Sequence, residues 1–414
     1  MPRTRLTPRE AVEAVLDRVA PLPEESVQLH EASERVLSRD VVSPLDLPPW
    51  DNSAMDGYAA RADDVLAGSE LCIVEVIPAG AFPTKVIASG GCARIFTGAP
   101  IPEGADCVVR QEDTTLLDRG RVRIDDARDR GRNVRRRGED IRDGDLALAA
   151  GDLLAAPQIA LLAALAVDHV HVHRRPRVAI LSTGDELVDI MQRDEILSGR
   201  KIASSNTYAL TAMIEEAGGV CVNLGIARDD PAELRRRFSA AVGADLLVTS
   251  AGMSVGEHDH LRAILEEGGL VAGFWRVRMR PGSPVGFGTI GELPWIGLPG
   301  NPVSAMVTFE LLVRPAIRKM LGHTRLHRRA VTVAAGEEIA VRARLTHLLR
   351  VRLDGSDSPP KAYLTGPQGS GIMSSMVKAD ALLILPEGTM KAGVGHELQA
   401  IRLDEAVHVA EPPF

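Results

Sequence analysis

The chain has 414 residues, well above the size of one ordinary core, so about three or four domains are expected. Apolar residues make up 45% and charged residues 25%, and the formal net charge is −8, with basic residues scattered among acidic ones. That is the balance of a folded soluble protein. It argues against nucleic acid as the main partner and leaves room only for a local basic pocket.

Of the 48 basic residues 42 are Arg and 6 are Lys, a bias we read as genome composition. Aromatic residues are 3%, so the cores must be aliphatic. No apolar run approaches the ~20 residues of a membrane span; the longest, 159–167, is ended by Asp168. No apolar signal core follows the N-terminus. Cys72, Cys92, Cys107 and Cys221 show no CxxC spacing, so neither a structural zinc site nor a disulfide framework is expected, and the cytoplasm is the default compartment.

In chain order, Thr7-Pro8-Arg9-Glu10 combines a cap hydroxyl, Pro at the first helical position and Glu three residues after the cap. This predicts a helix with Ala11, Val12, Val15, Leu16 and Val19 on its apolar face, stopped by Pro21 and Pro23. From about 45 to 150, short β-rich segments at 71–77 and 107–110 are separated by Gly and Pro, which predicts a small β domain with functional loops. Within it, 119–143 is dense in Arg and Asp and is expected to be solvated loop and edge strand.

Residues 174–322 alternate. A buried-type strand at 177–182 is followed by a helix at about 206–217, a strand at 220–226, a helix at 231–242, a strand at 245–249, a helix at about 259–267 and a long helix from Pro302. Such alternation implies a mostly parallel sheet, whose ligands bind at the carboxyl ends of the strands. Residues 329–414 return to β, with turns at Asp354-Gly355 and Glu387-Gly388, and predict a small barrel or sandwich. No internal repeat is evident.

The loops after the 174–322 strands carry the chemistry. They are Ser182-Thr183-Gly184-Asp185-Glu186; Thr249-Ser250-Ala251-Gly252-Met253-Ser254-Val255-Gly256-Glu257-His258-Asp259; and Gly297-Leu298-Pro299-Gly300-Asn301-Pro302 at a helix start. Each offers small residues, hydroxyls and free N–H groups, the donors that phosphate and polar heterocycles need, and helix N-termini add positive dipole ends. Tight βα turns are rich in Gly and Ser anyway, but three such loops at one end of one sheet favour a ligand site.

Glu186, Asp229 and Asp259 bring carboxylates to the same end, although Asp229 and Asp230 could equally cap the helix opened by Pro231. Like charges ~4 Å apart repel by ~4 kcal/mol at an effective dielectric near 20. A divalent cation or nearby guanidinium groups must offset this, and Mg²⁺ suits carboxylate plus phosphate ligands. Arg276, Arg278 and Arg280 alternate and so share one face of a strand, next to the turn Pro281-Gly282-Ser283-Pro284. With Arg314 they are candidates for the cationic side; the competing reading is a solvated sheet face.

Other motifs are absent or weaker. There is no GxGxxG, P-loop or HExxH. Gly252-Met253-Ser254-Val255-Gly256 matches a GxSxG nucleophile elbow, but a hydrolase would also need an Asp and a His downstream, with His323, His327 and His347 as candidates. His169, His171 and His173 alternate along a segment that reads as an interdomain strand rather than a metal site. His258 and His260 flank Asp259 in a supporting place at most.

A family resemblance rests on several ordered motifs. These are Pro49-Trp50-Asp51-Asn52-Ser53-Ala54-Met55-Asp56-Gly57-Tyr58, Phe96-Thr97-Gly98-Ala99-Pro100, Gly138-Glu139-Asp140-Ile141, 181–186, 254–259 and 297–302. With them the chain resembles the molybdopterin molybdotransferases, the family of the E domain of gephyrin. The resemblance implies a multidomain α/β plus β, L-shaped subunit and a homodimer. Residues 1–45 and 140–173 would form an elongated dimerisation domain, 46–139 the small β domain, 174–328 the α/β molybdopterin-binding domain and 329–414 the C-terminal β domain.

It implies a reaction in which adenylylated molybdopterin and molybdate yield AMP and molybdenum on the dithiolene, assisted by Mg²⁺. By motif position Asp56, Thr97, Asp140, Glu186, Asp229 and Asp259 match functional residues, with Glu186 and Asp259 at the metal. Thr183, Gly184, Ser250, Gly252, Ser254, Gly256, Arg276, Arg280, Ser283, Pro284, Pro299, Gly300, Asn301 and Pro302 fall at substrate positions, and Arg350 and Ser370 at the molybdate-contacting pair. The Asp56 loop would come from the partner subunit. Implied partners are a protein supplying the adenylylated pterin and downstream molybdoenzyme maturation factors, with no nucleic acid or membrane. The family usually has Lys at the positions of Arg276, Arg280 and Ser283, and Gly at Ala251. The lost charge at Ser283 motivates a different reading, a non-catalytic pterin-binding scaffold.

Overall fold

A computed structural model describes residues 5–251, 260–404 and 408–414. Helix α1 (Pro8–Leu16) is built on a reciprocal cap: Glu10 N–H donates to Thr7 Oγ1, and the Glu10 carboxylate accepts from Thr7 N–H. It ends before Pro21 is reached. Its buried face, Ala11, Val12 and Val15, packs into the core of the 174–322 region.

After β1 (Glu24–Gln28), six strands form one sheet: β2 (Gly57–Ala60), β3 (Glu70–Ile77), β4 (Gly91–Ile95), β5 (Cys107–Arg110), β6 (Thr114–Leu117) and β7 (Arg121–Ile124), in the order β5-β2-β4-β3-β7-β6. This corrects the expectation for 119–143. β7 is interior, with Val122 and Ile124 fully buried between the exposed Arg121 and Arg123. The two-residue period places every second side chain inside, whatever the charge of its neighbours. Helix α2 (Ala156–Ala164) leads to β8 (His169–His173), which returns antiparallel to β1.

The central region alternates as expected: β9 (Arg177–Thr183), α3 (Ser205–Glu216), β10 (Val220–Ala227), α4 (Pro231–Ser239), β11 (Leu246–Ser250), α5 (His260–Glu267), β12 (Leu270–Phe274), β13 (Met279–Arg280), β14 (Gly286–Ile290) and β15 (Leu293–Leu298). The sheet order is β10-β9-β11-β15-β14-β12. The first four strands are parallel, and β14 and β12 add an antiparallel edge. α4 stops at Ser239, short of the expected Val242. The long helix from Pro302 is α6 (Pro302–Thr308), a π turn (Phe309–Val313) and α7 (Arg314–Met320) in succession.

Two expectations change here. Residues 275–280 are not one strand: β12 ends at Phe274, Arg278 N–H donates to Leu6 O (2.7 Å), and β13 leaves for another sheet. Arg314 is not a ligand group. It is buried and pairs with Glu310 (2.7 and 2.9 Å).

The last region contains β16 (Ala330–Ala335), β17 (Thr346–Asp354), β18 (Lys361–Leu364), β19 (Ala381–Leu385) and β20 (Glu397–Arg402). They run β17-β18-β16-β20-β19, and β19 pairs again with β17, so the sheet closes into a barrel. β13 adds to β17 in parallel, so the barrel carries a strand from the α/β region.

Candidate active site

Strand register builds the rim. Thr183 lies beside Ala227, Ser182 beside Ser250, and Ser250 beside Leu298. The turns at 184–186, 228–230, 251 and 299–301 therefore leave one edge of one sheet. A buried polar layer supports them. Thr207 Oγ1 is 2.8 Å from Ser182 Oγ and 2.7 Å from Ser204 Oγ. Asn206 Nδ2 donates to Ser250 Oγ and to Gly300 O, both 2.8 Å, which ties the ends of β11 and β15 together. Its Oδ1 is buried with no partner among the described residues. Sequence reasoning missed Ser204, Asn206 and Thr207. Their signal was a run of small polar residues opening a helix where an apolar face was due.

The carboxylates separate by role. Asp230 caps α4 by accepting from Glu233 N–H (2.8 Å), whereas Asp229 N–H donates to Asp185 Oδ1 (3.2 Å) and draws its loop toward the Glu186 turn. Of the two, Asp230 is the one whose side chain caps the helix. Gly184 has φ +144°, and its missing Cβ leaves the space into which the Glu186 carboxylate folds, 2.6 Å from where that Cβ would stand. Glu186 is exposed, and its carboxylate has no partner among the described residues. Gly252, Ser254, Gly256 and Asp259 lie outside the described residues.

A second feature adjoins the rim. Arg280, Arg342, His347, Arg350, Gln368 and Gly369 help to line a cleft of about 240 Å³, and no carboxylate lines it. Arg350 is fully buried. Its Nε donates to Ser375 Oγ and its Nη2 to Gly369 O (both 3.0 Å), but Nη1 is buried without a partner among the described residues. Burial pushes the pKa of Arg350 down from its ordinary value. Burial, with the Arg280 charge, also lowers His347. Gln368 brackets the Arg350 main chain (2.9 and 3.1 Å), and Val303 N–H donates to Ser370 O (3.1 Å), joining this barrel loop to the first turn of α6. A lining with arginine side chains and no carboxylate among its described residues suits an anion. Arg342, which sequence reasoning missed, sits on an irregular segment with no motif to flag it.

The remaining candidates are dispersed. Arg276 and Pro284 are exposed; Ser283 is half-buried, and its carbonyl accepts from Val277 and Val285 N–H (3.1 and 2.9 Å). Arg278 pairs with Glu387 (3.3 Å). Asp56 and Thr97 meet on the β2–β7 sheet: Thr97 N–H and Oγ1 donate to Asp56 Oδ1 at 2.8 and 2.7 Å, and this holds the Asp56 carboxyl below its usual range. Asp140 is exposed on a neighbouring turn, its N–H donating to Leu47 O (3.1 Å).

The three histidines proposed for a hydrolase are engaged elsewhere. His323 Nδ1 faces Arg318 (3.2 Å), His327 is buried, and His347 Nε2 lies 2.9 Å from Ala343 O. Among the described residues no group of three His, Cys, Asp or Glu could hold a metal, the β8 histidines included.

Three family models match in order: the MoeA N-terminal region, domains I and II, at 6–166; a probable molybdopterin binding domain at 179–319; and the MoeA C-terminal region, domain IV, at 329–403. The molybdopterin molybdenumtransferase of Haemophilus influenzae is 35% identical over 90% of this chain and 93% of its own length. That of Nostoc sp. is 37% identical over 92% and 88%. The chain belongs to the molybdopterin molybdenumtransferase (MoeA) family. The crystal structure of the molybdopterin biosynthesis moeA protein of Pyrococcus horikoshii has a TM-score of 0.80 at 27% identity, covering 96% of this chain and 100% of that one.

Ala251 stands out in the backbone of the rim. It holds φ +76°, a conformation suited to Gly. A Cβ on Gly300 would meet the Ala251 Cβ at 3.2 Å, so the two turns already touch closely.

Proposed function

We propose that this protein is a molybdopterin molybdenumtransferase that takes adenylylated molybdopterin and molybdate, releases AMP and leaves molybdenum on the dithiolene. The carrying observation is Glu186, a rim carboxylate with no partner among the described residues, in a chain that also has a cleft around Arg350 with no carboxylate among its described lining residues. A tetrahedral dianion suits Arg350 Nη1, Arg280 and the Ser370 hydroxyl. The phosphate and adenylate suit Thr183, Gly184, Ser250, Gly252, Ser254 and Gly256 and the first turn of α6 with Pro299, Gly300, Asn301 and Pro302; Arg276, Ser283 and Pro284 border the anion's approach.

An exposed carboxylate with no partner among the described residues fits Mg²⁺, which takes one or two carboxylates and fills its shell with water and substrate phosphate. Glu186 with Asp259 would hold it, and when bound it neutralises charge on the phosphoanhydride and on the departing AMP. One of the carboxylates, Asp229 among them, would orient the attacking water. No covalent nucleophile is needed. The subunit divides into 1–45 with 140–173, 46–139, 174–328 and 329–414, and works as a cytoplasmic homodimer in which Asp56, Thr97 and Asp140 face the rim of the other subunit. One partner hands over the adenylylated pterin, and maturation factors receive the product.

The test supplies adenylylated molybdopterin, Mg²⁺ and molybdate and follows AMP. Molybdate-dependent AMP release is expected. Binding of the pterin without AMP release rejects the enzyme and leaves the scaffold that the neutral Ser283 favours. Glu186→Gln should slow turnover about a hundredfold, the scale of an acid–base or metal-holding group, with the melting temperature little changed because the side chain is exposed.

A further inference from the structure

Glu186 has no side-chain partner among the described residues, so whatever aims its carboxylate must act through the main chain of its turn. That main chain is held on several sides. Gly184 N–H donates to Ala227 O (3.2 Å), Leu187 N–H to Gly184 O (3.2 Å) and Ile202 N–H to Glu186 O (3.0 Å). One side chain joins them: Lys201 Nζ donates to Asp185 O at 2.6 Å.

Lys201 is delivered by a compact excursion between two short parallel strands, Leu187–Val188 and Ile202–Ala203. Its own N–H donates to Glu195 O (3.2 Å). Asp189, at the start of the excursion, is fixed by Tyr208 Oη and Met191 N–H, both 2.9 Å. The long side chain therefore starts from an ordered main chain and ends on the peptide that carries Glu186.

Residue type fits this contact. Basic positions in this chain are 42 Arg and 6 Lys. Three of those six Lys cap a single main-chain carbonyl: Lys85 on Val74 O (2.6 Å), Lys201 on Asp185 O and Lys319 on Leu16 O (2.8 Å). The neighbouring Arg200 instead takes the Glu195 carboxylate through Nε and Nη2 (3.0 and 3.2 Å). A compact ammonium suits one oxygen, and a planar fork suits two.

We propose that Lys201 is the positioning residue for Glu186, clamping the Asp185 carbonyl so that the free carboxylate is presented to a divalent cation. The proposal deepens the function given above and rests on it. Its sign is diagnostic. Charge repulsion alone would make loss of Lys201 tighten cation binding; loss of the clamp weakens it.

The experiment compares the full chain with its Lys201→Met, Lys201→Gln, Lys201→Arg and Lys85→Met variants. Mn²⁺ binding is read directly by electron paramagnetic resonance, and amide exchange is followed at residues 184–187. Lys201→Met should weaken Mn²⁺ about tenfold, the scale of losing a group that orients a metal ligand, and speed exchange at 184–187. Lys201→Arg should fall between it and the parent, and Lys85→Met should match the parent. Lys201→Gln keeps a donor and guards against a misfolded Met variant. Unchanged or tighter Mn²⁺ binding in Lys201→Met, equal loss in Lys85→Met, or a parent that binds no Mn²⁺ overturns the proposal. A parent that binds Mn²⁺ and responds as expected but releases no AMP rejects the proposed function and leaves the clamp standing.

Discussion

Ala251 illustrates how one side chain can set strain at the rim of the sheet. A non-Gly residue in the left-handed region costs about 1 kcal/mol, because its Cβ crowds the following carbonyl. The turn keeps the conformation because Ala251 N–H donates to Leu298 O (3.1 Å) and its neighbour Ser250 is held by Asn206. Ala251→Gly should therefore stabilise the α/β region by about 1 kcal/mol, less whatever the freer unfolded chain takes back. Urea unfolding followed by the signal of Trp295, which is buried in that sheet and donates to Thr249 Oγ1 (3.1 Å), would measure it. A lower midpoint would show that the turn carries less strain than the unfolded-state entropy that Gly adds.

At the scale of elements, the helix from Pro302 is joined to the strand at His327–Arg328 by buried charge. Arg314 and Arg328 both donate to the Glu310 carboxylate, Arg328 at 3.0 Å. Burial works against the Glu310 charge, yet the two guanidinium groups hold its carboxyl below the ordinary range. Glu310→Gln keeps the shape but removes the buried anion that Arg314 and Arg328 share, leaving both to the more exposed Glu216 (3.3 and 2.5 Å), so it should cost about 3 kcal/mol in urea unfolding.

The adjacent His327 is buried, and that burial, with the Arg9 charge, pushes its pKa down to about 4. The unfolded chain takes up this proton near its ordinary 6.5 and the folded chain only near 4. Stability is therefore level above about pH 6.5 and falls by roughly 3 kcal/mol as pH drops toward 4. His327→Leu should flatten that window; unfolding midpoints at pH 7.5 and 5 would show it.

For the whole molecule the issue is how Asp56 and Thr97, on the β2–β7 sheet, could serve a rim on the β9–β15 sheet. The proposed homodimer gives a direct test. Asp56→Asn and Glu186→Gln subunits should each be nearly inactive. Mixed and allowed to exchange, they should recover about a quarter of parental activity, because half of the dimers are mixed and each mixed dimer holds one intact site. Recovery no greater than the sum of the two variants would place the whole site within one chain.

Local chemistry determined much of this protein in advance. The Thr7–Glu10 cap, the alternation of strands and helices through 177–320, the glycine and hydroxyl turns at the strand ends and the family motifs could all be read from neighbouring residues. Helix periods, caps and turns are short-range properties. Only the tertiary structure decided that β13 leaves the α/β region for the barrel, that β7 lies inside its sheet, that Arg314 is spent on Glu310, and that Arg350, Arg342 and His347 share a cleft without a carboxylate. Each of those depends on pairings between residues far apart in the chain, where burial and strand register rather than local propensity choose the partner.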